Sequence, residues 1–284
     1  MSNESVNKTL VLGFNKDIGN SEYHDDREYI SSSGLKMLYK NPREFHRIYV
    51  LNEENKMPNQ SALDFGSYLH CLILEPHLEH TDFAVFTGYS RRGKDWEKFR
   101  DANASKCIIT SSQKNLSDKL MKSYKESSVI IGKHGYEIDV PVSSFFSGGE
   151  AEETLCVEIE GVKVKVRFDY RKEFEDYGSI NDVKTTAEYI STKAQVEKIC
   201  ASWGYDVSAA LYCDAAEIAT GKPHEFYYNF LSKKDGACRI YRASDQMLEV
   251  GRKKYKEAIR RLKDARETGF YYKNEIEELN SIDF

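Results

Sequence analysis

The feature that most constrains this chain is a change of hydrophobic period at about Glu150. In GVKVKVRFDY, Val162, Val164, Val166 and Phe168 alternate with Lys163, Lys165, Arg167 and Asp169. Such a two-residue period belongs to a strand with one buried face. After EFEDYG the alternation resumes in SINDVKTT, with Ile180, Asp182 and Lys184 on one face. Everything before this pair of strands has a helical period or none. ISSSGLKMLYK offers serines for capping, then Leu35, Leu38 and Tyr39, and breaks at Asn41-Pro42. A second helix is expected from about Ala62 to Glu75, stopping at Pro76, and a third over 111–129. Residues 1–28 read as a polar, irregular segment, and 88–106 as basic, aromatic and loop-like at first.

Beyond Lys184, residues 187–200 and 203–219 are helical in pattern. EFYYNFLS and ACRIYRA then flank KKDG as a hairpin, and an amphipathic helix spans about 244–268. Helices, then strands, helices, a hairpin and a helix give one α/β domain over 29–284 with a mixed central β-sheet flanked by helices.

Composition narrows the class. The chain has 284 residues, 41 Lys+Arg against 46 Asp+Glu, and a net charge of −5. No apolar stretch suffices for a membrane span and the first residues lack a secretory pattern, so a cytoplasmic protein is expected. Six cysteines contain no CxxC pair, which argues against zinc ribbons and iron–sulfur sites. The acidic total does not exclude a nucleic-acid surface, because residues 252–266 hold eight basic and two acidic side chains.

The chemistry concentrates between Asp169 and Lys184. Two neighbouring strands can bring Asp169, Asp182 and Lys184 to one point. Carboxylates that crowd together ionise comfortably only around a cation, and hard oxygen ligands favour Mg²⁺, with Mn²⁺ a substitute. A divalent ion of this kind activates water and steadies charge on a phosphate, and a nearby lysine assists, so phosphodiester hydrolysis is implied.

ISSSGLKMLYKNP, ALDFGSYLHCLILEP, KVRFDY and NDVKTT stand in the order found in RecE-type exonucleases (exonuclease VIII), members of the PD-(D/E)XK nuclease superfamily. The chain resembles that family from about Tyr29 to Gly221. The resemblance implies a PD-(D/E)XK core with Asp169 and Asp182 as metal-binding aspartates, Lys184 as catalytic lysine and His70 beside the metal. Gly66, one turn before His70, would permit a close approach of backbone or DNA. A glutamate before the first strand often joins such sites. Glu152 and Glu153 are both candidates that alternation does not separate, and the expectation leans to Glu153. Where related nucleases carry Y-x-x-Q-x-x-x-Y, this chain has Tyr205 and Tyr212 but Ser208 in place of glutamine.

The resemblance further implies a Mg²⁺-dependent exodeoxyribonuclease acting on linear double-stranded DNA ends, 5′→3′, leaving 3′ single strands for recombination. It implies a homo-oligomeric ring (trimer or tetramer), a single-strand annealing recombinase as partner, and a phage or prophage origin in a bacterial cell. Arg91, Arg92 and Lys94, with Tyr89 and Trp96 nearby, are candidate DNA contacts, as are Tyr205 and Ser208. Two alternatives remain open at this point: a related nuclease with different end specificity, and a DNA-binding or assembly subunit that keeps the fold with little catalysis.

Overall fold

The computed structural model of the chain describes residues 9–54, 60–133 and 136–272. Helices and strands follow in the order β1 (Gly13–Asn15), α1 (Asn20–Asp25), β2 (Ile30–Ser31), α2 (Ser32–Lys40), α3 (Pro42–Phe45) and α4 (Gln60–Leu74). Next come α5 (Glu79–Asp82), β3 (Phe83–Phe86), α6 (Lys94–Ala102), β4 (Cys107–Thr110), α7 (Ser111–Glu126), β5 (Ser128–Lys133) and β6 (Tyr136–Pro141). The second half holds β7 (Glu150–Ile159), β8 (Val162–Glu173), β9 (Gly178–Thr186), α8 (Lys193–Trp203), α9 (Tyr205–Thr220), β10 (His224–Ser232), β11 (Cys238–Arg242) and α10 (Asp245–Thr268).

The central sheet runs β1-β7-β8-β9-β10-β11, with β2 joining the edge of β8. Antiparallel pairs make up most of it, while β9 and β10 run parallel. A parallel pair requires a crossover, and α8 and α9 supply it. Val164, Val166, Phe168 and Ile180 are fully buried against Leu35 and Leu38 of α2, the alanines of α9, and Tyr255, Ala258 and Ile259 of α10. On the opposite face Phe65 and Leu69 of α4 meet Leu120 and Tyr124 of α7 over Val183 and Leu231. The sheet is therefore a filled layer between two helical layers, the mixed α/β architecture expected from the alternation.

Helix ends follow their sequence signals. Ser31 caps α2 by accepting from the Gly34 amide at 3.3 Å, and Pro42 occupies the first turn of α3 after the Asn41 cap. Ser244 caps α10, which ends at Gly269 with φ of 76°. Within α10, Gly251 lets the helix cross the start of α9. A Cβ there would lie 1.9 Å from the Asp206 carbonyl oxygen, so any side chain forces the two helices apart.

Three expectations need correction. The segment before Tyr29 is not irregular: β1 extends the sheet beside β7 and α1 follows, while residues 1–8 lie outside the described residues. This segment covers what would have been the polar face of β8. Lys165 is 3% exposed, and its ammonium donates to the carbonyls of Tyr23 and Asp26. Residues 88–93 are irregular as expected and lead into α6, whereas α8 begins at Lys193 because residues 187–192 form its approach. The third helix ends at Glu126, and from Ser128 the chain turns into the β5–β6 hairpin.

Candidate metal centre and active site

The site forms where β8 and β9 part. Their ladder holds from Glu173↔Gly178 to Tyr170↔Asn181 and then ends, with β2 taking over the same edge of β8 at Val164 and Lys165. Asp169 and Asp182 stand immediately past the split. Where the ladder would have continued, the Asp169 carboxylate reaches across and accepts the Val183 amide at 2.7 Å. The carboxylate thus satisfies a backbone donor that the fork strands, and its position is fixed in return.

His70 enters from α4. The packing of Phe65 and Leu69 seats the helix on the sheet, and one side of its ring meets the fork. Its Nε2 donates to the Val183 carbonyl at 3.0 Å, and Nδ1 lies 3.5 Å from Asp169 Oδ2. The Val183 carbonyl holds Nε2 and so turns Nδ1 toward Asp169, the arrangement by which a backbone carbonyl orients a metal-binding imidazole. Gly66, one turn earlier, sits over β9, but a Cβ there would meet only Thr185 Oγ1 at 3.8 Å, an ordinary contact.

The glutamate that joins is Glu152, not Glu153. The β7–β8 register pairs Ala151 with Tyr170 and Glu153 with Phe168, which sets Glu152 opposite Asp169 at a gap in the ladder. Glu152 has φ of 50°, and its carboxylate turns to Asp169 and His70. One ligand atom from each of His70, Glu152 and Asp169 lies within 4.8 Å of the others. Glu153 is occupied elsewhere, accepting from Arg171 Nε at 2.6 Å as the counter-ion of a buried guanidinium.

Asp182 approaches from the other strand. It is almost fully buried, and its carboxylate pairs with Lys184 Nζ rather than standing in the tight group of three. Burial raises the Asp182 carboxyl, Lys184 opposes that rise, and Asp169 adds to it. Burial also works against the Lys184 charge, but Asp182 and Asp169 outweigh it and hold the ammonium more firmly protonated than a free lysine. Glu152 is pushed up to about 8, first by burial and then by the Asp169 charge. Two carboxylates held this close need a cation between them. The oxygen-rich donor set, completed by one oriented imidazole, suits a hard divalent ion such as Mg²⁺ or Mn²⁺.

The wall beyond Lys184 is built by α2 and α9. Tyr205 lies under the lysine, its ring centre 5.3 Å from Nζ, while Tyr212 packs edge-on against Phe168. Ser208 Oγ shares a 2.9 Å hydrogen bond with Ser32 Oγ and accepts from Lys36 Nζ at 3.1 Å. Lys36, which the sequence reading passed over, is pulled down to about 8, mainly by burial and then by the neighbouring Lys184 charge. Ser32 and Lys36 are one turn apart on α2, so a polar pair at that spacing was the available signal, one that any solvated lysine also gives.

The remaining candidates divide. Arg91 is used internally: it donates to the Ile108 carbonyl at 2.5 Å, lies 3.8 Å from Asp64 and sits 5.5 Å over the Trp96 ring. Arg92, Lys94 and Tyr89 are exposed. The basic stretch of α10 is largely neutralised, with Arg252 on Asp214, Lys254 on Asp206, and Arg260 and Arg261 on Glu257. No helix among the described residues is long and apolar enough to cross a membrane.

Comparison with known proteins agrees with this architecture. Residues 31–274 match the family described as a PDDEXK-like domain of unknown function (DUF3799). The chain belongs to that PDDEXK-like family. Its fold is similar to the crystal structure of a protein described as "Putative exonuclease" from Eubacterium rectale, with a TM-score of 0.61 and 15% identity over 89% of this chain and 88% of that one. At that identity the likeness shows the fold. A second solved structure, of SSO0001, overlaps 39% of this chain and 50% of that one, at 13% identity and a TM-score of 0.27. No curated protein sequence matches the chain.

Proposed function

We propose that this protein is a divalent-metal-dependent nuclease, and specifically an exodeoxyribonuclease that degrades linear double-stranded DNA from its ends. The observation that carries the reading is the meeting of His70, Glu152 and Asp169, whose ligand atoms lie within 4.8 Å of one another, with the Asp182–Lys184 pair beside them at the sheet fork. Membership of the PDDEXK-like family supports the same reaction, and the neighbour described as a putative exonuclease supports action at DNA ends.

His70, Glu152 and Asp169 would hold the metal, with Asp182 adjoining. When bound, the ion lowers the pKa of a coordinated water and stabilises charge on the phosphate. The protein's own groups do the rest. The Val183 carbonyl keeps His70 Nδ1 pointed at the cluster, and the Val183 amide fixes Asp169. Asp182 keeps Lys184 protonated and in place, so that the ammonium orients the attacking water or meets the charge that develops on the phosphate. Tyr205 beneath Lys184 limits its movement. A binding-only subunit has no use for this many carboxylates facing DNA phosphates, which repel them.

The 5′→3′ direction, 3′ single-stranded products, a ring of three or four subunits, an annealing recombinase as partner, and service in phage recombination in the bacterial cytoplasm are parts of the same proposal, supported by resemblance to RecE-type enzymes. The test uses linear duplexes labelled at either end and closed circles, with Mg²⁺ or EDTA. Mg²⁺-dependent loss of 5′ label from linear DNA, intact circles and no activity in Lys184→Ala are expected. Binding without degradation by both proteins refutes the nuclease reading, and early loss of 3′ label refutes the direction.

A further inference from the structure

Among the described residues, Lys36 is a charged group with no acid of its own. Its ammonium opens on a cavity of about 290 Å³ that Ser33, His70, Asp182, Lys184 and Tyr205 also line. The two acids nearest in charge, Asp182 and Asp206, are each paired with another lysine, Lys184 and Lys254. Its hydrogen-bond partner is the Ser208 hydroxyl, itself tied to Ser32. Lys40 adds a further positive charge from the next turn of α2. Keeping a second ammonium near Lys184, largely shielded from water and facing only hydroxyls and the Tyr205 ring 5.9 Å away, costs stability in the free protein. An anion with several acceptor oxygens, entering the cavity from solvent, would offset that cost.

On the nuclease reading above, we propose that Lys36 is a substrate-contacting residue whose ammonium binds a backbone phosphate of the nucleic-acid strand, on the α2 side of the cavity it shares with Lys184. The Ser32–Ser208 pair holds the ammonium in position. Lys184 then serves the reacting phosphate beside the metal cluster, and Lys36 grips a phosphate next along the strand. Lysine suits the task as a compact point charge. A contact of this kind acts on the bound and reacting states alike, so its loss raises KM more than it lowers kcat.

The experiment compares wild type, Lys36→Met and Lys36→Arg. Affinity for a fluorescent duplex is measured in EDTA from 50 to 200 mM salt, thermal unfolding is measured without DNA, and cleavage is followed with Mg²⁺. One lost phosphate contact should flatten the slope of log affinity against log salt by about 0.9 and weaken binding on the order of tenfold. Lys36→Met should unfold at the same temperature as wild type or higher, since the uncompensated charge is gone. Lys36→Arg should keep the wild-type slope. A folded Lys36→Met with unchanged slope overturns the proposal, as does a variant that loses thermal stability while the slope stays put. Wild type that binds DNA but never cleaves it would remove the nuclease reading and leave the Lys36 result standing. Wild type that cleaves normally beside an unchanged Lys36→Met slope removes the Lys36 proposal alone.

Discussion

Replacing Glu152 with glutamine tests the metal centre without any substrate. The Glu152 carboxyl rises from 4.5 to about 8 because it is buried and faces Asp169. Below pH 4.5 it is protonated in folded and unfolded chains alike. Between the two values the folded chain holds a proton that the unfolded chain releases, so stability falls as pH rises, and above 8 the whole cost is present. The full interval corresponds to about 5 kcal/mol. Outward movement of a half-buried side chain and the effective dielectric of such sites reduce this to roughly 2–3 kcal/mol. For a chain of this length that is about 4–6 °C in melting temperature.

Thermal unfolding should be followed by circular dichroism from pH 5 to 8 in EDTA. The range stops at 8 because Lys36 begins to lose its proton there, with the opposite sign. Wild type should lose about 4–6 °C relative to Glu152→Gln across this range. Mn²⁺ at about a hundred times its dissociation constant should return roughly 2.7 kcal/mol to wild type at pH 8, and much less to the variant. Asp182 also rises and remains in both proteins, so the difference between them isolates Glu152. Parallel pH curves for the two proteins, or equal stabilisation by Mn²⁺, would refute the placement of Glu152 in the cluster.

Other substitutions probe the scaffold. Lys165→Met leaves Asp26 and two carbonyls without their cation. It should cost about 3 kcal/mol in urea unfolding and speed proteolytic cutting before Tyr29. Gly251→Ala should cost about 2 kcal/mol or more, because its Cβ falls on the Asp206 carbonyl, whereas Gly66→Ala should change melting by less than about 2 °C. Arg91→Ala should lower stability by about 2 kcal/mol without altering the salt slope of DNA binding. Arg92→Ala, on the exposed side of the same segment, should leave stability alone and reduce the slope if that loop meets DNA.

The strands that carry the site were legible because their period is simple and their burial strong: Val162 to Phe168 and Ile180 could face only one way. Asp169, Asp182 and Lys184 follow from that alternation, and His70 from the motif around it. Glu152 was not legible. A left-handed φ at a glutamate breaks the very alternation from which its direction would be read, and the neighbouring Glu153 had an equal claim until Arg171 was seen to hold it. Arg91 misleads for the opposite reason. A guanidinium beside a tryptophan and a tyrosine looks like a nucleic-acid grip, but only tertiary packing reveals that Asp64 and the Ile108 carbonyl already use it. The irregular appearance of the segment before Tyr29 came from its polarity, yet residues 9–28 cover a strand whose outward lysine and arginine need carbonyl partners.

The charges at the fork indicate what kind of ion belongs there. Glu152, Asp169 and Asp182 bring three carboxylates, Lys184 brings an ammonium, and His70 brings an imidazole whose Nε2 is held by the Val183 carbonyl. Burial first, and then the Asp169 charge, raises the Glu152 and Asp182 carboxyls, against the pull of Lys184 on Asp182. A cation among the three carboxylates relieves that repulsion, and a divalent ion does so more strongly than a monovalent one. The backbone concedes a ladder gap and a positive φ at the same spot, each of which costs stability. An arrangement kept only for packing would relax both by replacing Glu152 with a neutral residue. A glutamate held in this conformation beside Asp169 and His70 suits a metal ligand better than a packing residue.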